Sequence, residues 1–375
     1  NMMTPWLRDY AEVSNLELGL FIIGIFPGTL LNWYLYILRY ENQAIAFARI
    51  SLIGRTFSSL IALPAMALVD QEMRLTAGLG AGALVSFIAI IWALRELKII
   101  NLSIYNKNAW SGELVNKMIR YGILLVPGGV IYSLSTIFDR LLVGWYLGPK
   151  GNAILGLTAS IGGVALLIKI WFARAWDPKM VEWIRTVDAD YYLPRLKIGI
   201  KILILVMIPL PLLAIIWIEP LIHLLYAPEY AEVAPLIPTL ILSGVVSSFS
   251  LIAVGTVLIA NTARWHLPIY SIALILNVII GIFFIPMYGV MGAIIGTLVG
   301  EVFILFAWIF VGIKFYANLR LEWLSSLLLI GIVALVCYGY QVGILIPEHP
   351  NLERMILSMF LFLIFIIIFI KFQPI

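Results

Sequence analysis

Apolar segments of about twenty residues recur along the whole chain, and they constrain its fold more than any other feature. An α-helix of about 20 apolar residues is long enough to cross a hydrocarbon layer roughly 30 Å thick. The segments are too long for the strands of a membrane barrel, which alternate over about 10 residues. They predict an all-α polytopic membrane protein with about eleven transmembrane helices. The predicted spans are residues 17–38, 46–69, 75–95, 119–146, 152–173, 197–218, 233–258, 265–285, 288–313, 321–341 and 353–371.

The composition supports this fold class, since 63% of the residues are hydrophobic and only 12% are charged. Soluble domains carry about 25% charged residues. The single cysteine, Cys337, excludes an internal disulfide, and the three histidines are scattered. No nucleotide-binding glycine loop of the form GxxxxGK[ST] is present. We therefore expect no metal, no cofactor and no nucleic-acid partner.

Lysine and arginine residues sort by loop, which sets the orientation in the membrane. Seventeen of the 24 basic residues fall in one set of alternate loops and four fall in the other. The first set is therefore predicted to be cytoplasmic, with the C-terminus on the same side and the N-terminus outside. Three basic residues lie inside predicted spans: Arg55, Arg140 and Lys169.

Residues 119–148 form the predicted span with the most polar character. A Pro-Gly-Gly run at 127–129 loosens the helix, and backbone groups freed at membrane depth must be buried in protein or face water. The polar residues that follow share one face because they are three or four positions apart: Tyr132, Ser135, Thr136 and Asp139. This stripe is typical of a helix that borders a polar cavity. Alternatively, Asp139 and Arg140 lie at the outer interface, where Arg140 extends to the headgroups.

Other polar residues fall at membrane depth, where a charge costs about 3 kcal/mol on insertion scales. Glu301 is either a proton or cation site, a contact to a polar substrate, or a buried carboxyl bonded to a neighbouring helix. Arg55 either binds a phosphate group or extends to the cytoplasmic interface, and Lys169 lies near that interface. Asn277 either lines a cavity or bonds between helices.

Four glycines lead to Glu301 with the spacing that lets helix backbones approach closely: Gly289, Gly292, Gly296 and Gly300. The pattern predicts a tight helix crossing beside the carboxyl group. The predicted spans 265–285 and 288–313 are joined by Pro286 and Met287 alone, which predicts a helical hairpin.

Four stretches, in this order and spacing, carry a resemblance to a known family. They are FDRLLVGWYLG (138–148) with GNAILGLTASIGG (151–163), FARAWDPKM (172–180), YAPEYAEVAPLIPTLILSG (226–244) and LILNVIIGIFFIPMYGVMGAIIGTLVGE (274–301). Together they resemble the Wzx-type polysaccharide flippases of the multidrug/oligosaccharidyl-lipid/polysaccharide exporter superfamily. The resemblance covers residues 119–316 best.

The resemblance implies a two-lobe exporter-type bundle around a central cavity, with an incomplete first lobe. Residues 1–95 would supply three spans of the first lobe, 96–118 a cytoplasmic connection, 119–316 the complete six-helix second lobe, and 317–375 two extra C-terminal helices. We expect further spans upstream of Asn1, because the family's first lobe has six.

The resemblance also implies a function and a set of site residues. The family moves an undecaprenyl-pyrophosphate-linked oligosaccharide from the cytoplasmic to the outer leaflet of the bacterial plasma (inner) membrane, for lipopolysaccharide O-antigen or other surface polysaccharides. The expected substrate-binding residues are Arg55, Arg140, Lys169 and Asn277. Asp139 and Glu301 are the expected residues for coupling to H+ or Na+. Membrane lipids would surround the bundle, and no covalent chemistry is implied.

Three other function classes remain open at this stage, one of them a non-catalytic membrane scaffold. A drug/cation antiporter of the same superfamily would favour an acid-rich cavity, whereas the intramembrane bases here at least equal the acids. An integral membrane enzyme that modifies glycans usually has large external loops or a clustered catalytic site, and neither is visible in the sequence.

Overall fold

The computed structural model describes residues 15–40, 43–69, 73–96, 111–186, 189–259, 263–315 and 323–341. Throughout these ranges the chain is helical with short turns, and they contain no β-strand. The chain divides into two compact units, residues Asn1–Val115 and Asn116–Ile375.

The first unit contains three helices, α1 (Asn15–Tyr40), α2 (Ala44–Ala67) and α3 (Arg74–Glu96). Helix α3 packs on both α1 and α2. A small core joins α1 and α2, where Leu38 and Ile50 are almost fully buried. Arg55 belongs to α2, but its side chain lies outside the described part of the structure.

The second unit contains the remaining described helices. They are α4 (Gly112–Gly162), α5 (Val164–Thr186), α6 (Ala189–Met207), α7 (Pro209–Leu225), α8 (Ile237–Ile259), α9 (His266–Tyr288), α10 (Val290–Phe315) and α11 (Trp323–Gln341), with short 3-10 helices at Pro228–Leu236 and Ala263–Trp265. Helix α4 begins within the stretch that the sequence assigned to the connection 96–118. Residues 97–110 of that stretch lie outside the described ranges.

A kink divides α4 into two helices at Gly148, whose φ of 68° lies in the left-handed region that glycine adopts readily. The second of these helices ends at Gly162, and α5 begins at Val164. The predicted span 152–173 therefore crosses a helix boundary. The boundary falls on Gly162 and Gly163, and the apolar residues that continue on both sides of this pair led the sequence analysis to read through it.

Helix α8 is the centre of the second unit. It packs against α5, α6, α7, α10 and α11. Residues 241–250 of this helix are all buried except Gly244, which is half-buried, so the helix is covered on all sides along this stretch. Burial of apolar surface contributes about 25 cal/mol per Å² in soluble proteins, but between helices in a membrane close packing is the main contribution.

Helices α9 and α10 form a hairpin, and glycines decide its geometry. The turn lies at Gly289, whose φ is 61°, rather than at Pro286 and Met287 as the sequence suggested, since α9 continues through both residues. Gly292 and Gly296 pack directly on the backbone of α9 at Ile285 and Asn277. The predicted close approach of two helices at these glycines is confirmed, whereas Gly289 makes the turn.

Five stretches in the described ranges are helical, long and apolar enough to cross a membrane, and apart from Val115 itself they lie in the second unit: Val115–Gly162, Pro194–Leu225, Pro228–Gly255, His266–Tyr288 and Val290–Lys314. The fold class of an all-α membrane protein is confirmed. The count of about eleven spans stays a prediction, and the predicted span 353–371 lies outside the described residues.

Candidate functional site

Polar side chains from five helices of the second unit meet inside its apolar packing. They lie along the line where α4 and α9 run side by side. The rings of Tyr132 and Tyr270 are in edge-to-face contact, with their centroids 5.4 Å apart. Seven residues further along both helices, Asp139 contacts Asn277. The two helices are therefore parallel and in register, with about 10 Å between the two contacts.

The first group, called the Asp139 cluster, consists of Asp139, Asn277 and Thr297. Both carboxylate oxygens of Asp139 accept hydrogen bonds, from Asn277 Nδ2 at 3.1 Å and from Thr297 Oγ1 at 2.8 Å. Asn277 Nδ2 also lies 3.4 Å from Thr297 Oγ1. Donors on both sides suit an ionised carboxylate, because hydrogen bonds to a charged acceptor are the stronger kind.

One acceptor of the Asp139 cluster has no partner among the described residues. Asn277 is only 2% exposed, and its Oδ1 makes no hydrogen bond there. Most buried polar atoms are paired, so an unpaired amide oxygen next to a carboxylate marks a place for a proton donor or a small cation. Carboxylate, amide and hydroxyl oxygens are the ligand types that hard cations prefer.

The second group, called the Glu301 cluster, consists of Lys169, Ser247, Tyr132 and Glu301. Tyr132 OH donates to Glu301 Oε1 at 2.8 Å and lies 3.5 Å from Ser247 Oγ. Lys169 Nζ donates to Ser247 Oγ and lies 6.0 Å from the centre of the Tyr132 ring. A chain of hydroxyl groups therefore links the ammonium to the carboxyl group.

Ser247 joins the cluster because its hydroxyl has a different role from its neighbours on α8. Ser243, Ser248 and Ser250 are buried too, but each donates to a backbone carbonyl of its own helix. That is the usual way for a serine to satisfy its hydroxyl inside a helix. Ser247 instead contacts side chains of α4 and α5, so it is the polar group that the central helix contributes to the site.

A small cleft connects the two clusters. Thr297 and Glu301 are one turn apart on α10, and both line the cleft together with Tyr132, Ser135 and Tyr270. The cleft is partly open to the surroundings and has room for only one or two water molecules. This suits water molecules or a small ion rather than an oligosaccharide.

The predicted site residues have different outcomes. Lys169, Asn277, Asp139 and Glu301 come together in the two clusters, whereas Arg140 is exposed and takes part in none of the hydrogen bonds that build them. The side chain of Arg55 lies outside the described part of the structure. Within the described ranges, no group of three or more His, Cys, Asp or Glu side chains could hold a metal ion.

Sequence reasoning missed Ser247 and Thr297, and it placed Tyr132 on the polar face of α4 without a partner. A signal existed for each of the two missed residues. Thr297 precedes Glu301 by four positions, which places it on the same face of α10, and Ser247 interrupts an apolar helix. Neither signal indicates which other helix the hydroxyl meets.

Among known proteins, no protein-family model matches the chain and no curated sequence is similar to it.

Proposed function

We propose that the protein moves an undecaprenyl-pyrophosphate-linked oligosaccharide from the cytoplasmic to the outer leaflet of a bacterial plasma membrane. The observation that carries this proposal is the arrangement of one cation and two carboxyl groups, Lys169, Asp139 and Glu301, in two hydrogen-bonded clusters among apolar helices. Charged groups inside a membrane protein are expensive and are kept where an ion or a polar substrate passes. The motif order of residues 138–301 supports the same function by resemblance.

The proposed division of roles follows from chemistry. A pyrophosphate group cannot cross hydrocarbon without replacement of its water, and an ammonium such as Lys169 supplies opposite charge and hydrogen bonds. Arg55 and Arg140 are proposed as further cationic contacts on the substrate's path. Asp139 and Glu301 take up and release the coupling ion, H+ or Na+, while the bundle alternates between inward-open and outward-open states. The transport involves no covalent chemistry.

A second candidate is a drug/cation antiporter. The described site of the second unit contains two carboxyl groups, Asp139 and Glu301, and the single ammonium of Lys169. This balance of charge is more acidic than the sequence suggested, because the exposed Arg140 takes part in none of the hydrogen bonds of the two clusters. An excess of carboxylates favours a cationic substrate.

A complementation experiment tests the first function. The full-length protein is expressed in bacterial strains that lack their own O-antigen flippase and make different glycans, and surface glycan is measured with the membrane level of the protein. We expect the wild type to restore export in at least one strain. Lys169→Met should lower export and Lys169→Arg should retain most of it. Lys179→Met is the matched control, because Lys179 is an exposed residue of α5 that pairs with Glu182 at 3.0 Å.

Two results would count against the flippase proposal. The first is wild-type protein that reaches the membrane and restores no glycan in any strain. The second is export that is indifferent to Lys169→Met. Drug resistance in an efflux-deficient strain, lost in Asp139→Asn, would favour the antiporter instead.

A further inference from the structure

The first half of α6 carries a compact group of basic residues. Arg195, Lys197 and Lys201 lie within seven residues, near the start of an apolar stretch that is long enough to cross a membrane. Asp190 precedes them in the same helix, and residues 191–218 contain no aspartate or glutamate. This end of the candidate span therefore carries an excess of positive charge.

Aromatic rings of α5 hold this part of α6 in place. The guanidinium of Arg195 lies over the ring of Trp183, 5.9 Å from its centre, and Trp183 meets Trp176 edge to face, with centroids 5.6 Å apart. Trp176 is buried against Gly199, where a Cβ atom would collide with the indole ring. Contacts at two positions one turn apart, Arg195 and Gly199, therefore fix the rotation of α6 about its own axis.

This rotation leaves two neighbouring rows of side chains on the surface of α6. The lysine row consists of Lys197, which is exposed, and Lys201, which is half-buried one turn further along. The apolar row consists of Ile198, Ile202 and Val206, which are spaced by one turn and are all exposed. The apolar row extends about 12 Å along the helix, at 1.5 Å of rise per residue.

A phospholipid has the same two-part chemistry as these rows. Its phosphate accepts hydrogen bonds from an ammonium, and its acyl chain packs on apolar side chains. The basic residues of the loops predict that this end of the span lies at the cytoplasmic surface, where each lysine is worth about fivefold in affinity for anionic lipid. The contacts with α5 hold the rows in position before a lipid arrives, which lowers the cost of binding.

We propose that α6 binds one anionic phospholipid of the surrounding membrane, with the headgroup phosphate at Lys197 and Lys201 and an acyl chain along the apolar row. Arg195 holds the lysine row in place through its contact with Trp183. The site uses none of the residues of the Asp139 and Glu301 clusters. It is therefore independent of what the protein transports.

The test counts and ranks bound lipids by native mass spectrometry. Purified, delipidated full-length protein in detergent is titrated with phosphatidylglycerol and, separately, with phosphatidylcholine that has the same acyl chains. The two lipids share the phosphate and the chains and differ in net charge. We expect the first phosphatidylglycerol to bind roughly twentyfold more tightly than the first phosphatidylcholine.

Variants of the lysine row test the headgroup contact. Lys197→Gln and Lys201→Gln should each weaken phosphatidylglycerol binding about fivefold, and the double variant should lose the preference for the anionic lipid. The double arginine variant should retain the preference, because it keeps both charges. Lys314→Gln is the matched control, because Lys314 is an exposed lysine at the end of another candidate span, and it should bind as the wild type does.

Two further measurements test the acyl chain. The double variant Ile198→Ala and Ile202→Ala removes apolar contact but keeps the lysines, so the affinities for both lipids should fall by a similar factor. Glycerol phosphate presents a phosphate without an acyl chain, and it should not displace bound phosphatidylglycerol. Thermal unfolding without added lipid checks that each variant is folded.

Four results would overturn the proposal. The wild type might bind the two lipids with equal affinity, or the preference might survive in the double glutamine variant. An equal loss of preference in Lys314→Gln would show a general effect of net charge. Displacement of phosphatidylglycerol by glycerol phosphate would indicate a site for soluble phosphate compounds.

Discussion

Replacement of Gly292 by alanine tests the helix packing on which both polar clusters are built. A Cβ atom at this position would lie 2.5 Å from the backbone nitrogen of Ile285, and the carbonyl group of Phe284 lies closer still. Ordinary contact begins at 3.4 Å. The obstructing atoms are backbone and cannot rotate away, so α9 and α10 must separate by about 1 Å, and close-packed interiors do not absorb this easily.

The expected loss in the free energy of unfolding can be estimated from two opposing effects. Overpacking typically costs about 1–3 kcal/mol, while alanine gains up to about 1 kcal/mol over glycine within a helix. The atoms at Gly292 are rigid, so we expect the upper end of this cost and a net loss of about 2 kcal/mol. Gly300→Ala on the same helix is the matched control, because its Cβ would meet Ala273 O at 3.4 Å. That variant should be neutral or slightly stabilised.

The assay is the midpoint of thermal unfolding of the purified protein in detergent, followed by size-exclusion chromatography of heated samples. A loss of 2 kcal/mol corresponds to a midpoint roughly 4–8 °C lower for a unit of about this size. The proposed glycan export should fall as well, since Asn277 and Thr297 lie on the two helices that separate. Equal midpoints for Gly292→Ala and Gly300→Ala would refute the packing described here.

Two further predictions concern single contacts of the site. Thr297→Val removes the hydroxyl that donates to Asp139 at 2.8 Å, so we expect the free energy of unfolding to fall by about 1–3 kcal/mol in the same assay. Thr297→Ser keeps the hydroxyl and should retain stability. An unfolding midpoint of Thr297→Val equal to that of the wild type would contradict the hydrogen bond. In Gly128→Ala the new Cβ would meet the imidazole of His266, with Cε1 2.9 Å away and Nδ1 closer, whereas at Gly129 it would meet nothing within 4 Å. Only the first alanine should lower the unfolding midpoint, and equal effects of the two would exclude the contact with His266.

Helix type and membrane character were predictable from local sequence. An apolar run of about twenty residues can satisfy its backbone hydrogen bonds in lipid only as a helix, so composition and length are sufficient for this conclusion. The same local logic predicted the close approach at Gly292 and Gly296. It did not separate these residues from Gly289, because separations of three and of four both place residues on one helix face, and only the backbone conformation of the turn distinguishes Gly289.

The sequence by itself determined which polar residues share a helix face. The spacing of Tyr132 and Asp139 on α4, and of Thr297 and Glu301 on α10, follows from the helical period alone. The tertiary structure decided which faces meet. The bond from Tyr132 to Glu301 joins residues 169 positions apart, and the bond from Lys169 to Ser247 joins residues 78 positions apart. Periodicity carries no information across such separations, because the choice of partner depends on how whole helices pack.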